Sequence, residues 1–344
     1  MNKKEAKCIV WDLDNTIWDG ILSENSNVSL KPEIENIIKE LDSRGILHSI
    51  ASKNNYNDAM NKLKEFDLDQ YFLYPEIHWS TKSSSILNIQ KNINIGIDTI
   101  IFCDDQPFER DEVSSVCPDV ECVDAADYLN LLDMNRLKPK FITEDSKRRR
   151  LMYQEDIQRK VEEENFNGPS ELFLASLKMK FIICEAEEED LNRAEELTVR
   201  TNQLNATGIT YDYDDLNFFR KSKDHKLLVC ELIDKYGSYG KIGLALIELN
   251  KESWHLKLFL MSCRVISRGV GTVFLSYILF EAKKAGVKFY ADFKKTDRNK
   301  MMYVSYKFAN FKEISTDSEG NVVFENDLTT IQKYPNYIDI VIKN

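Results

Sequence analysis

Three short apolar runs in the first 105 residues each end on a residue able to hold an anion or a cation, and this recurrence constrains the fold more than any other feature. KCIVWD (7–12) closes on Asp12, ILHSIAS (46–52) on Ser52, and DTIIFCDD (98–105) on Asp104-Asp105. Between them the spacing turns helical. Ile34, Ile37, Ile38 and Leu41 share one face of a segment at 33–44 that Gly45 stops, and further helices are expected near 57–66 and 82–92. Alternating strands and helices predict a doubly wound parallel sheet covered on both faces. Functional groups of such sheets collect at the carboxyl ends of the strands.

The pattern changes after a highly charged stretch at 136–169, which is helical through 146–163 and broken at Gly168-Pro169. KMKFIICEA, KLLVCELID, GKIGLALIEL and SWHLKLFLMSCRV then read as strands at hairpin or meander spacing. A helix at 271–285, the strand KFYADF and a helix near 299–308 follow. The expected organisation is an α/β domain over 1–135, a charged helical linker over 136–169 and an α+β domain over 170–344. A chain of 344 residues exceeds what one core comfortably serves.

Charge and cysteine usage exclude several function classes. A net charge of −11 works against nucleic-acid binding as the main task. No apolar run approaches the roughly 18 residues of a membrane span, and the opening MNKKEAKCIVWDLD lacks a signal-peptide pattern, so a cytoplasmic location is expected. Seven scattered cysteines point to reduced thiols, and the four histidines lie too far apart for the usual zinc spacings. Two basic clusters stand against the overall charge, Lys147-Arg148-Arg149-Arg150 and Lys294-Lys295 with Arg298. The first is the expected docking point for a small acidic protein.

Asp12-Leu13-Asp14-Asn15-Thr16 places two carboxylates where a strand opens into a loop, and a divalent cation relieves their repulsion. With Ser52, Lys82 and Asp104-Asp105 at further element ends, the set offers a nucleophilic carboxylate, a hydroxyl and a cation for phosphate oxygens, and acids for a metal. In this order the motifs resemble those of the haloacid dehalogenase superfamily. The resemblance implies Asp12 as nucleophile, Asp14 as acid/base, catalytic roles for Ser52 and Lys82, and Mg²⁺ held among Asp12, Asp14, Asp104 and Asp105. Thr16, Lys53 and Asn54 are expected at the phosphate. The loop after Thr16 is too short for a large cap, so the site is expected to be open or covered by the second domain.

The finer pattern resembles the FkbH-like proteins through DLDNTIWDG, SKNN, the stretch from Trp79 to Lys82 and DDQPFER, and in the second half through RTNQLN (200–205), DKYGSYGKIG (234–243) and FLMSCRVISRGVG (259–271). Asp19 stands where that family usually has Gly, and Gln106 where it usually has Asn. The resemblance implies a glyceryl unit taken from 1,3-bisphosphoglycerate, loss of phosphate, and loading as a thioester on the phosphopantetheine of an acyl carrier protein in polyketide-type biosynthesis. Lactyl or a related three-carbon unit fits the same expectation. A carrier-binding module with a vestigial phosphatase site and a plain small-molecule phosphatase with a non-catalytic partner domain are the competing readings.

Ser267-Arg268-Gly269-Val270-Gly271-Thr272 links a strand to a helix, where glycines let backbone N–H groups approach a phosphate. The loop resembles that of GNAT acetyltransferases, although Ile266 stands where Gln or Arg is usual, and NKMMYVSYKFANF resembles their closing element with Ala309-Asn310 in place of Leu-Gly. Arg264, Arg268, Gly269, Val270, Gly271, Asn202, Asn205, Asn299 and Tyr306 are the residues expected at the phosphopantetheine. Cys8 and Cys103 are expected to be buried and inert, and His255 structural. Cys263, beside Arg264 and the loop, is either a nucleophile that accepts the acyl group or a packed core thiol; direct attack by the carrier thiol is the competitor.

Overall fold

Cys8–Trp11 (β1) is buried at every position, as befits a strand covered on both faces of a parallel sheet. The chain, seen in a computed structural model that describes residues 4–25 and 27–343, divides into two units, 1–157 and 158–344.

In the first unit β1 is followed by a small hairpin, Trp18–Asp19 (β2) and Ser29–Leu30 (β3), and then by helix Ile34–Ser43 (α1). Leu47–Ser52 (β4), Tyr56–Glu65 (α2), Glu76–Ile77 (β5), Lys82–Ile93 (α3), Ile100–Asp104 (β6), Pro107–Val116 (α4) and Glu121–Asp124 (β7) complete the winding. The sheet order is β5-β4-β1-β6-β7 with every pair parallel. Alternate side chains feed two cores: Ile9, Trp11, Ile50 and Cys103 point to one face, Cys8, Val10, Ala51 and Phe102 to the other. The chain reverses direction across the sheet between β1 and β6, which is where a ligand crevice forms in such folds. Asp12 follows β1 and Asp104 ends β6, and the two are level, since Asp12 N–H donates to Cys103 O at 2.9 Å.

Much of the expected linker belongs to this first unit. The short helix Glu144–Lys147 (α5) and the start of Arg149–Asn165 (α6) pack onto it. Arg136 is buried and donates to Lys4 O at 2.7 Å, Asp98 O at 2.5 Å and Glu121 at 2.5 Å. Arg150 forks onto Asp42 at 2.9 and 3.1 Å, Arg149 donates to Gly45 O at 2.6 Å, and Lys147 pairs with Glu144 at 2.7 Å. The basic run at 147–150 is therefore largely spent on the chain's own groups.

The second unit is built on one mixed sheet, with Ser170–Ser176 (α7) leading into Met179–Glu185 (β8). Leu191–Arg200 (α8), Tyr213–Lys221 (α9), His225–Asp234 (β9), Gly237–Leu249 (β10), Ser253–Met261 (β11), Val270–Ala285 (α10), Lys288–Lys294 (β12), Lys300–Phe308 (α11), Lys312–Thr316 (β13), Asn321–Asn326 (β14) and Ile338–Lys343 (β15) follow. The order is β13-β14-β12-β11-β10-β9-β8-β15, antiparallel except for the β11–β12 and β8–β15 pairs. Helices α10 and α11 share a core with one face, α8 and α9 with the other.

Strands β11 and β12 pair only over Ser253–Leu256 and Lys288–Ala291 and then diverge. The opening is filled by the chain itself. Ala206 N–H donates to Phe259 O at 3.0 Å, Met261 N–H to Leu204 O at 2.9 Å, and Lys294 N–H to Ala206 O at 3.0 Å. Edge groups that would otherwise stand open are thus satisfied by residues 204–206.

Candidate active site

Lys82 is the hub of the first unit's carboxyl-end crevice. It is the first residue of α3, whose N-cap Thr81 accepts a hydrogen bond from Ser84 N–H. From there its buried ammonium reaches Asp12 Oδ1 at 2.5 Å, Asp104 Oδ2 at 2.9 Å and Ala51 O at 2.8 Å. Asp12, Asp104 and Asp105 each offer a carboxylate oxygen, and these oxygens lie within 4.8 Å of one another. Burial pushes Asp12 up to about 6; Lys82 and a hydrogen bond from Ser52 oppose that shift, and the Asp104 charge adds to it. Asp104 and Asp105 are raised as well, in each case mainly by burial. Burial favours the neutral amine of Lys82, yet the Asp12 and Asp104 charges outweigh it and hold the ammonium form.

Three acids against one lysine leave negative charge uncompensated in a dry crevice, and Oδ1 of Asp105 is buried without a hydrogen-bond partner among the described residues. A divalent cation fits both facts, with Asp12, Asp104 and Asp105 as its protein ligands. Thr16 Oγ1, in the loop after β1, is buried and unpartnered among the described residues, so it is available to an incoming oxygen.

The carboxylate of Asp14 is not in that acidic group; expected as a metal ligand, it is engaged elsewhere. Trp18 Nε1 and Leu22 N–H donate to its Oδ1 at 2.8 and 3.1 Å, and Asn54 Nδ2 donates to Oδ2 at 3.0 Å. The turn that arranges this runs through Asn15, left-handed at φ 53°, and closes with the β2–β3 hairpin. Three donors fix the carboxylate two residues beyond Asp12, a suitable station for proton transfer. Asn54 also donates to Ser52 Oγ at 3.2 Å, so the SKNN segment ties the ends of β1 and β4 together. Lys53 is held by buried Glu109 of α4 at 2.7 Å.

Arg110, Trp18 and Glu109 escaped sequence reasoning. Arg110 donates to Asp104 O at 2.6 Å and to Asp124 at 2.5 Å, fixing the end of β6. All three stand in motifs that carry the family resemblance, Trp18 in DLDNTIWDG and Glu109 and Arg110 in DDQPFER, but their partners are set by the crossing of separate elements.

In the second unit the expected residues separate into two groups. Gly269 caps α10 at φ +76°, where a side chain is strained, and Gly269, Gly271 and Thr272 line a cavity of about 300 Å³ with Leu204, Met261 and Phe308. The rest, Asn202 apart, face inward or toward the chain. Val270 and Tyr306 are wholly buried, and Tyr306 stacks on Phe311 at 5.0 Å between centroids. Asn205 accepts from Thr207 and Gly208 N–H at 3.2 and 2.9 Å. Asn299 donates to the carbonyls of Asn205, Ala206 and Lys294 at 2.9–3.3 Å, locking residues 204–206 into the opening beside β11. Arg264 donates to Tyr239 O at 2.9 Å, and buried Arg268 reaches Glu163 at 3.3 Å. Asn202 is exposed, as is Cys263, which lies in the turn Cys263–Arg268 and not in a core. Cys8 and Cys103 are buried with thiols pushed well up by burial. His255 pairs with Asp292 at 2.6 Å.

No family model matches the chain. Over 149 residues it is 28% identical to the human magnesium-dependent phosphatase 1, a match that takes in 38% of this chain and 84% of that protein. Among solved structures, it is similar to the N-terminal part of a Bacteroides fragilis protein containing a phosphatase domain complexed with Mg, at 33% identity and a TM-score of 0.33. That match covers 37% of this chain, and the chain spans about two fifths (39%) of that structure. It is also similar to the Escherichia coli ribosomal-protein-S18-alanine N-acetyltransferase, at 13% identity and a TM-score of 0.34, over 45% of this chain and 97% of that one. No helix among the described residues is long and apolar enough to cross a membrane.

Proposed function

We propose that the chain is a two-part acyl-loading enzyme, in which a magnesium-dependent phosphoryl-transfer site in the first unit works with an acyl-transfer site in the second. The observation that carries the first half is the convergence of Asp12, Asp104 and Asp105 around Lys82 at the reversal point of the sheet. The second half rests on the Gly269 loop and the cavity it opens on, together with the resemblance to FkbH-like proteins. A bound magnesium ion would neutralise charge on the phosphoryl oxygens.

The proposed donor is 1,3-bisphosphoglycerate and the acceptor the phosphopantetheine thiol of an acyl carrier protein. The thiol attacks the C1 carbonyl, the acyl carbon–oxygen bond breaks, and inorganic phosphate leaves with the thiol proton. If Cys263 attacks first, thioester exchange then breaks its carbon–sulfur bond as the carrier thiol takes the acyl group and Cys263 regains the proton. Asp12 attacks the phosphorus of the remaining 3-phosphate, and the sugar-acid oxygen departs with a proton from Asp14. Water deprotonated by Asp14 then hydrolyses the aspartyl phosphate, leaving a glyceryl thioester on the carrier. Lys82 balances the charge that Asp12 carries before attack.

A specific observation favours a second reading. Arg264, Arg268, Asn205, Asn299 and Tyr306 face protein groups and not the cavity, which suits a phosphatase whose second unit binds a ligand without transferring an acyl group. Incubation with 1,3-bisphosphoglycerate and a carrier protein bearing phosphopantetheine separates the two. A carrier mass gain of one glyceryl unit is expected; phosphate release without that gain overturns the loading reading and leaves the phosphatase.

A further inference from the structure

Helix α11 turns an apolar stripe toward solvent as well as toward a core. Met302 and Tyr306 bury one face in the larger core of the second unit. Met301, Val304 and Phe308, at i, i+3 and i+7, lie exposed on another, Phe308 at 73%. Ile266, in the turn before α10, is exposed too, and it forms with Met301 and Phe308 part of the cavity lining. Exposed apolar residues that gather at the mouth of a hollow mark a contact surface; scattered ones do not.

Charge indicates what fits there. The chain carries −11 overall, yet residues 294–312 hold five lysines and Arg298 against one acid, Asp297; two of the lysines, Lys307 and Lys312, pair with Glu313 and Asp327. Lys300 and Lys307 are seven residues apart and so lie on the same flank of the stripe. Lys295, Arg298 and Lys300 are exposed and are not committed to an ion pair among the described residues. A second copy of this chain suits the surface poorly, because a two-fold contact would set these basic residues against their own equivalents. A membrane would be attracted by the charge, but it has no use for a hollow opening within the stripe.

We propose that this face of α11 docks a small acidic carrier protein, which lays the apolar edge of a helix on Met301, Val304 and Phe308 while its flexible arm enters the cavity toward Gly269. The inference rests on the carrier-loading reading for the arm and adds to it the surface and charge of the partner. It replaces the run at 147–150 as the docking point, since Arg149 and Arg150 are held by Gly45 and Asp42.

The test uses the full chain carrying Lys300→Glu with Val304→Glu, two exposed positions outside the cavity lining. The probes are an acyl carrier protein with and without its phosphopantetheine, and free pantetheine as an acceptor lacking any protein part. The KM for the armed carrier should rise about ten-fold or more, while transfer to free pantetheine and phosphate release stay unchanged. Arg298→Glu alone should act in the same direction. Equal KM values for wild type and variant overturn the docking surface and leave the loading reading intact. Transfer to free pantetheine without any transfer to the carrier does the same. A wild type that loads neither acceptor overturns both. Binding to phosphatidylserine vesicles that the double variant loses reassigns the face to membranes, and a dimer that the variant abolishes reassigns it to self-association.

Discussion

Lys82 and Asp12 form an ion pair at 2.5 Å in which both side chains are more than nine-tenths buried. A second contact, to Asp104 at 2.9 Å, makes the lysine the only cation among the described residues that pairs with either acid. Removing it leaves two carboxylates in a dry crevice. Lys82→Met should lower stability by roughly 3 kcal/mol and phosphate release by about a hundred-fold or more, read by urea unfolding and steady-state assay. Added magnesium should restore part of the stability, because it replaces the missing positive charge. A variant as stable and active as wild type would contradict the arrangement.

The response to magnesium should depend on pH. In the metal-free protein burial holds Asp12 at about 6, above the roughly 3.9 of an unfolded aspartate. The folded state therefore binds this proton more tightly, and the contribution of Asp12 to stability falls as pH rises from about 4 to about 6. Magnesium takes the deprotonated form. The rise in Tm on adding magnesium should be larger near pH 7.5 than near pH 5 (conditions on either side of about 6, where the proton competes). Equal rises at both pH values would count against the metal being held by these carboxylates.

Arg110 never touches a reacting atom in this account; it holds the carbonyl of Asp104 and the carboxylate of Asp124. Arg110→Gln should raise the magnesium concentration for half-maximal phosphate release by about ten-fold while kcat at saturating magnesium changes much less. An unchanged magnesium requirement would show that β6 keeps its end without this contact.

How far the sequence discloses this site depends on how local each signal is. Asp12, Ser52 and Asp104 were legible because each ends an apolar run whose strand character is written in neighbouring residues. Lys82 was legible from its place before an amphipathic segment. Arg110 and Trp18 were not, because their value lies in partners on other elements. The charges at 147–150 read as a free basic patch, yet Arg150 is matched by Asp42, 108 residues away in sequence. Asn205 and Asn299 were expected at the phosphopantetheine, but an amide that orients a ligand and one that locks a backbone look alike until the pairing of residues 204–206 with β11 is seen. Strand β13 went unread because all five of its residues are exposed at a sheet edge, which erases the alternation that betrays a half-buried strand.

Cys263 stands exposed at the turn that leads to the Gly269 loop. If it carries the acyl group, Cys263→Ala should abolish the covalent glyceryl adduct seen by intact mass after incubation with 1,3-bisphosphoglycerate alone. Loading of the carrier should then fall by about a hundred-fold. Undiminished loading by the variant would assign the attack to the carrier thiol itself.

The most direct test concerns Asp12. Acid quenching during turnover, followed by peptide mass spectrometry, should find one phosphoryl group on the peptide that contains Asp12, and none in Asp12→Asn. Phosphate release that continues in Asp12→Asn, or turnover that never marks this peptide, would contradict the assignment of Asp12 as the attacking carboxylate.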